Sequence, residues 1–462
     1  AKTEPRELKR DIRLHHATAM VVGTIIGASI FVQPSEITGP VPSLPGAALV
    51  WLVAGVLTFC GALVAAELAS TFPESGGVYA YLREAFSPLM GFLWGWAMFW
   101  TMHTGIIAAI AMVFARYLAY FIPLGGGGMK AAAALAILLL SWVNYLGVKQ
   151  GSNLQTAFTV AKVGAIILMI GVGYALGGPE AAPSSSPVGE ALLASTAQAP
   201  NPAIVQTGLL GGASLQDFLL ALVAGLFAFG GWHMVTYSAE ETASARRTIP
   251  RALTTGVLLV TLCYIALNAV YFHVLPLENV ITSDRVAADA ADAVIGHGGA
   301  FMSGLVVFST FGAISGIILA GPRVYFAMAR DGLLFEWAGA VHPTRRTPHR
   351  AIWLQAVWAC VLVLTGTYRA LFTRVVYTEW IFFGLMAIGL FIFRRRTDVR
   401  RHYSVWGYPL VPAIFAFSAF AIVVNQIMAD PGESALGLGF VGLGIPVYYA
   451  WARRGYTKET TG

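Results

Sequence analysis

The sequence predicts an all-α integral membrane protein with twelve transmembrane helices. Composition is the first reason: 57% of the 462 residues are hydrophobic and only 11% are charged, where soluble domains carry roughly 25%. The second is a series of long apolar runs, each close to the ~20 residues that a helix needs to cross a bilayer. The third is the placement of Lys and Arg, which gather at alternate ends of those runs. Together these observations exclude a water-soluble enzyme.

The runs lie near residues 15–39, 46–71, 88–121, 130–148, 153–177, 214–238, 250–275, 299–328, 351–367, 372–393, 409–428 and 434–452. Helix breakers separate them: Pro40, Pro42 and Pro45, the Gly125 to Gly128 run, and the Pro/Ser/Ala-rich stretch from Gly178 to Gly212. That low-complexity stretch divides the chain near its middle. The charged start, Lys2 to Arg13, is not followed by a small-residue cleavage site, so the first run is expected to be retained.

With an even number of crossings both termini fall on one side. Twenty-three of the Lys and Arg residues then lie on that side and five on the other, with Lys162 left inside a run. The bias makes the termini cytoplasmic and accounts for the net charge of +6. No basic run interleaves with aromatics, so nucleic acid is not an expected partner; the lipid bilayer is. Cys60, Cys263 and Cys360 sit singly in apolar runs, where a thiol behaves as a small hydrophobe. Neither a disulfide framework nor a metal-ligand spacing is present, and no cofactor or metal is implied.

Two stretches carry the functional signal. Gly23-Thr24-Ile25-Ile26-Gly27-Ala28-Ser29 interrupts the first run, and Gly225-Leu226-Phe227-Ala228-Phe229-Gly230-Gly231-Trp232 interrupts the sixth. Gly23 and Gly27 also form a GxxxG pair, which by itself serves close helix packing. A second interruption at the matching place in the other half instead points to an inverted repeat with a transport site at two broken helices. Unwinding in a dry medium frees N–H and C=O groups that need partners. A zwitterion supplies both, its carboxylate for the N–H groups and its ammonium for the carbonyls.

The first stretch resembles the helix-1 signature of the L-type amino acid transporters, within the amino acid–polyamine–organocation superfamily. Ala66-Glu67-Leu68, then Pro73-Glu74-Ser75-Gly76-Gly77-Val78-Tyr79, is similar to the helix 2–3 connection of that family. Phe227 to Trp232, Glu240-Glu241, Ile249-Pro250-Arg251-Ala252, and Pro322 to Gly332 complete the resemblance, which runs from about Leu8 to Arg454. It looks closest to bacterial serine/threonine and alanine–serine–cysteine exchangers. The implied fold is a LeuT-type five-plus-five inverted repeat with broken helices 1 and 6 and two extra helices. The implied activity is sodium-independent exchange of small neutral L-amino acids by alternating access.

The resemblance organises the chain as a tail (1–13), a first repeat (14–178), an extracytoplasmic loop (179–213), a second repeat (214–403), two extra helices (404–453) and a second tail (454–462). It implies that N–H groups around Gly27, Ala28 and Ser29 hold the substrate carboxylate. It implies that carbonyls of Ile25, Phe227 and Gly230 hold the ammonium, with Phe227 as an aromatic gate and Trp232 beside the substrate. Ser29, His233 and Glu379 stand where relatives carry glycine, asparagine and a neutral polar residue. His233 directly follows the second interruption and joins the candidate site; Glu379 is expected at the membrane interface, and His103 as a histidine bonded to a neighbouring helix. Glu67, Glu240 and Glu241 are expected as solvated groups or partners of Arg83, Arg246 or Arg323.

Lys162 lies about a third of the way into its run. Its ammonium is expected to bridge the unwound first helix and Ser315, where the sodium-driven branch of the fold holds a cation. The animal relatives pair with a glycoprotein through a cysteine in the helix 3–4 loop; Pro123 to Lys130 has none, so no disulfide-linked heavy-chain subunit is expected. The implied location is a bacterial inner membrane. Alternatives are proton-coupled symport through Glu379 or His103, an integral-membrane enzyme and a channel. No His/Asp/Glu cluster or nucleophile–base set supports the enzyme, and no ring of like charge supports the channel.

Overall fold

The computed structural model describes residues 12–73, 76–146, 151–177, 209–334, 337, 340, 342, 348–397 and 401–450. Glu74, Ser75, Lys149, Arg345, Arg346, Arg400, most of the 179–213 loop and the ends 1–11 and 451–462 lie outside that set. Every regular element among the described residues is helical. Nine helical segments there are long and apolar enough to cross a membrane, and His349–Thr365 is a shorter apolar helix.

The first apolar run is not one helix. It divides into α1 (Leu14–Ile25), a 3₁₀ turn (Ser29–Phe31) and α2 (Gln33–Thr38), with Ile26 to Ala28 outside helical geometry. Next come α3 (Leu44–Thr71), α4 (Val78–Ala85), α5 (Pro88–Ala97), α6 (His103–Leu118), α7 (Gly126–Leu146) and α8 (Gly151–Leu176). A π-helical stretch, Met98–Met102, joins α5 to α6. The sixth run divides into α9 (Leu215–Ala228) and a 3₁₀ segment (Trp232–Glu241). The rest comprises α10 (Ala245–Val274), α11 (Leu277–Thr282), α12 (Val286–Val294), α13 (Gly298–Arg330), α14 (His349–Thr365), α15 (Tyr368–Arg395), α16 (Leu410–Ala429) and α17 (Pro431–Gly442).

Local chemistry sets the helix starts. Ser43 Oγ accepts from the Gly46 N–H at 3.0 Å to cap α3. Ser214 and Asp217 form a reciprocal capping box before α9, with N–H···O distances of 3.2 and 2.9 Å. Thr367 caps α15, which ends on Arg394 and Arg395, where cations suit the negative end of the helix dipole. α13 ends at Arg330 in a turn, where Gly332 takes φ +71°.

The broken helices sit at the centre of the packing. α1 lies against α8 and α10, and α9 lies against α3 and α15. Gly256 lets α10 approach α1: a Cβ there would lie 2.7 Å from Val21 Cγ1. Large apolar side chains such as Phe417 (77% exposed) and Phe301 (65%) point outward, a surface suited to hydrocarbon rather than water.

Candidate substrate-binding site

The chain leaves α1 after Ile25 and re-enters helical geometry at Ser29, so the leading N–H groups of the 3₁₀ turn have no intrahelical acceptor. The second interruption depends on Gly231, whose φ of +89° side chains rarely adopt. A Cβ at Gly231 would lie 3.3 Å from Thr24 Cβ, so the two breaks touch. Thr24 Oγ1 lies 3.2 Å from the Gly231 carbonyl while donating back to Met20 at 2.7 Å.

Tyr264 of α10 ties the breaks together. Its hydroxyl lies 2.9 Å from the carbonyl oxygen of Ile25 and 3.1 Å from that of Ala228. The same Ile25 oxygen accepts from the Gly27 N–H at 2.6 Å. Phe229 and Trp51 pack on the Tyr264 ring with centroids 5.0 and 5.7 Å away, which fixes the hydroxyl in place.

Between the breaks and α6, α13 and α15 lies a cavity of about 20 Å³, space for about one water. Ile25, Gly27, Ser29, Phe227 and Gly230 line it, as do Thr24, Met234 and Glu379. Ala28, Trp232, His233, Lys162 and Ser315 do not. Gly231 turns the chain so that Trp232 packs on Phe383 at 5.1 Å and His233 on Trp94 and Phe383 at 5.8 and 5.0 Å, behind the cavity. His103 Nε2 lies 2.7 Å from the Ile317 carbonyl, the bond to a neighbouring helix expected of it.

Lys162 is buried on α8, its Nζ donating to the Ile26 carbonyl at 3.5 Å. Its α8 neighbour Thr159 reaches the Ala19 carbonyl at 3.3 Å. Ser315 is held instead by Asn144, whose Nδ2 lies 3.3 Å from Ser315 Oγ and 3.4 Å from its carbonyl. Among the described residues no hydrogen bond joins Lys162 to Ser315.

Two expectations need correcting. Glu379 is not interfacial: it is 5% exposed and lines the cavity. Counting from the apolar run put it two turns from a helix end, but α15 begins earlier, at Tyr368. Glu67 is not solvated, and among the described residues it pairs with Arg394 rather than with Arg83 or Arg246. It is 1% exposed, accepts from Arg394 Nε at 2.8 Å and Nη2 at 2.5 Å, and takes the Val405 N–H at 2.7 Å.

Polar clusters close both ends of the central bundle. At one end Asp331 accepts from Tyr79 at 2.6 Å and pairs with Arg83. Burial and that carboxylate hold the Tyr79 phenol well above its ordinary pKa. At the other end Arg369 meets Glu36 at 2.9 Å and Arg374 pairs with Glu433. A vestibule of about 420 Å³, lined by Glu36, Val223, Arg369, Phe372, Arg374 and Glu433, opens there. The rings of Phe227 and Phe372, 5.4 Å apart, separate it from the cavity, with Tyr368 packed on both.

The broken helices, the central cavity and the two polar ends are the anatomy of a membrane transporter, and sequence comparison agrees. The amino acid permease family model matches residues 12–446, so the chain belongs to that family. It is 31% identical to the serine/threonine exchanger SteT of Bacillus subtilis (strain 168), over 98% of this chain and 99% of that protein. It is 30% identical to the human large neutral amino acids transporter small subunit 2, over 96% of this chain and 80% of that protein. The human cystine/glutamate transporter is 28% identical over 96% and 86%.

Proposed function

We propose that the protein is a sodium-independent exchanger of small neutral L-amino acids that works by alternating access. One observation carries the reading: a cavity lined on one side by the ends of two broken helices, Ile25 to Ser29 and Phe227 to Gly231. That wall offers N–H groups without helical acceptors and carbonyls from the break, the complement of an amino acid's carboxylate and ammonium. The N–H groups of Ala28 and Ser29 take the carboxylate, joined by that of Gly27 when it releases the Ile25 carbonyl to which it donates. Phe227 and Gly230 share the ammonium with Ile25, whose oxygen already accepts from Tyr264 and Gly27. The relatives, a serine/threonine exchanger and a large neutral amino acids transporter, support the same class.

Twelve crossings in a LeuT-type inverted repeat fit this function. The reciprocal packing of α1 on α10 and α9 on α3 supports the repeat. The basic ends lie outside the described residues, so the cytoplasmic placement of both termini in a bacterial inner membrane rests on the charge bias. Lys162 places an ammonium on the unwound backbone beside Ile26, where it substitutes for a sodium ion by holding the freed carbonyl. Phe227 and Phe372 form the gate between vestibule and cavity.

Proton-coupled symport is the second reading, favoured by one observation, the buried carboxyl group of Glu379 in the cavity wall. Uptake of a panel of labelled amino acids into proteoliposomes, with sodium replaced by choline and then with an imposed pH gradient, tests both. Exchange predicts saturable uptake of small neutral L-amino acids without sodium and without acceleration by the gradient.

A further inference from the structure

The two walls of the cavity differ in chemistry. The broken helices present backbone groups and the Ser29 hydroxyl; Thr24, on the same wall, is committed to its own helix at Met20. The facing wall consists of Ile106, Ile110, Ile317, Val375 and Val376, with one polar side chain, Glu379. Glu379 is nine-tenths buried, and among the described residues its carboxyl group has no hydrogen bond or ion pair. A buried polar group of this kind is costly unless something satisfies it.

We propose that Glu379 is the specificity-determining residue of this transporter: it accepts a hydrogen bond from a donor on the side chain of the bound amino acid. The inference rests on the amino acid transport reading above and names its substrate class, small amino acids whose side chain bears a hydroxyl or similar short donor. Once the α-carboxylate and ammonium engage the break wall, the side chain faces the apolar wall and its single carboxyl group. A carboxyl group accepts a hydrogen bond whether or not it carries a proton, so recognition does not depend on its ionisation. The geometry favours a short donor over a long side chain, because Ile106, Ile110, Ile317, Val375 and Val376 crowd the one carboxyl group with apolar neighbours.

The energetic consequence is an asymmetry. An apolar pocket scarcely distinguishes a methyl group from a hydroxyl, whereas a pocket with a buried acceptor rejects the analogue that leaves the acceptor unpaired. Threonine and valine are nearly isosteric and differ in that one group; serine carries a hydroxyl that alanine lacks.

The test is competition for uptake in proteoliposomes by threonine, valine, serine, alanine and lysine, with wild type, Glu379→Gln and Glu379→Leu. Wild type is expected to prefer threonine to valine, and serine to alanine, by at least about tenfold. Glu379→Gln, which keeps an acceptor, is expected to retain most of that preference. Glu379→Leu is expected to bring both ratios within about threefold of one while valine uptake persists, which also reports that the variant folds. Unchanged ratios in Glu379→Leu would overturn the proposal, as would lysine competing better than threonine in wild type. If neither variant folds, the wild-type ratios decide, and values near one overturn it. Absence of any amino acid uptake by wild type is a different result and refutes the transport reading itself.

Discussion

The hydroxyl of Tyr264 lies 2.9 Å from the carbonyl oxygen of Ile25, the last helical residue before the first break, and also reaches the Ala228 carbonyl across the second. One hydroxyl proton is thus shared between backbone carbonyls at both interruptions. Ile25 and Ala228 are 2% and 1% exposed, so water is not at hand to replace it.

Tyr264→Phe keeps the ring contacts with Trp51 and Phe229 but removes the hydroxyl. The expected cost is roughly 1–3 kcal/mol of stability, because the buried Ala228 carbonyl loses its donor while the Ile25 carbonyl keeps the Gly27 N–H. It is read as a lower melting temperature of the purified protein together with slower uptake. A melting temperature equal to wild type would show that Tyr264 is only packing.

Gly231→Ala addresses the second break. The backbone there has φ +89°, and a Cβ would crowd Thr24. The left-handed conformation alone costs a residue with a side chain about 1–2 kcal/mol. Gly164→Ala is the control, because on α8 a Cβ meets nothing within 4 Å. Transport is expected to fall sharply in the first variant and to stay near wild type in the second. Equal behaviour of the two would remove the special role of the break.

Much of this fold is written in the sequence in a form that physics makes readable. α3 and α10 appear as apolar runs because a crossing helix must be apolar along its length. Both breaks are marked by glycines, and at Gly231 the positive φ needs one. The π-helical stretch Met98–Met102 leaves no such mark, since one extra residue in a turn changes neither composition nor period visibly. The short helices α11 and α12 lie in a connection too polar to register as a run. The pairing of Glu67 with Arg394 joins residues 327 positions apart, which no local pattern encodes. Trp232 and His233 sit beside the break in sequence but behind the cavity in space, because Gly231 turns the chain between them and Gly230.

Phe227→Ala tests the aromatic barrier below the vestibule. Phe227 contacts the rings of Phe372 and Tyr368 from the cavity side. A gate that occludes the site affects the conformational steps more than binding. Maximal flux is expected to drop about tenfold while the Kd for substrate moves less than about threefold. Equal loss in both would mark Phe227 as core packing.

Lys162→Ala removes the ammonium that reaches the Ile26 carbonyl from α8. A folded protein is expected, because Thr159 still links α8 to α1 at Ala19. Its flux is expected to fall about tenfold, the loss that about 1.4 kcal/mol on the limiting step produces. Wild-type uptake should be the same in sodium and in choline. Normal flux in the variant, or a sodium requirement in wild type, would contradict the role given to Lys162.

Exchange is the central claim, and trans-stimulation tests it most directly. Purified protein is reconstituted into liposomes that are either empty or preloaded with unlabelled serine, and initial uptake of labelled serine is measured in choline medium at equal pH on both sides. Exchange predicts uptake at least several-fold faster into the preloaded liposomes, because the loaded transporter returns through the membrane more readily than the unloaded one. Equal initial rates in the two preparations would contradict it.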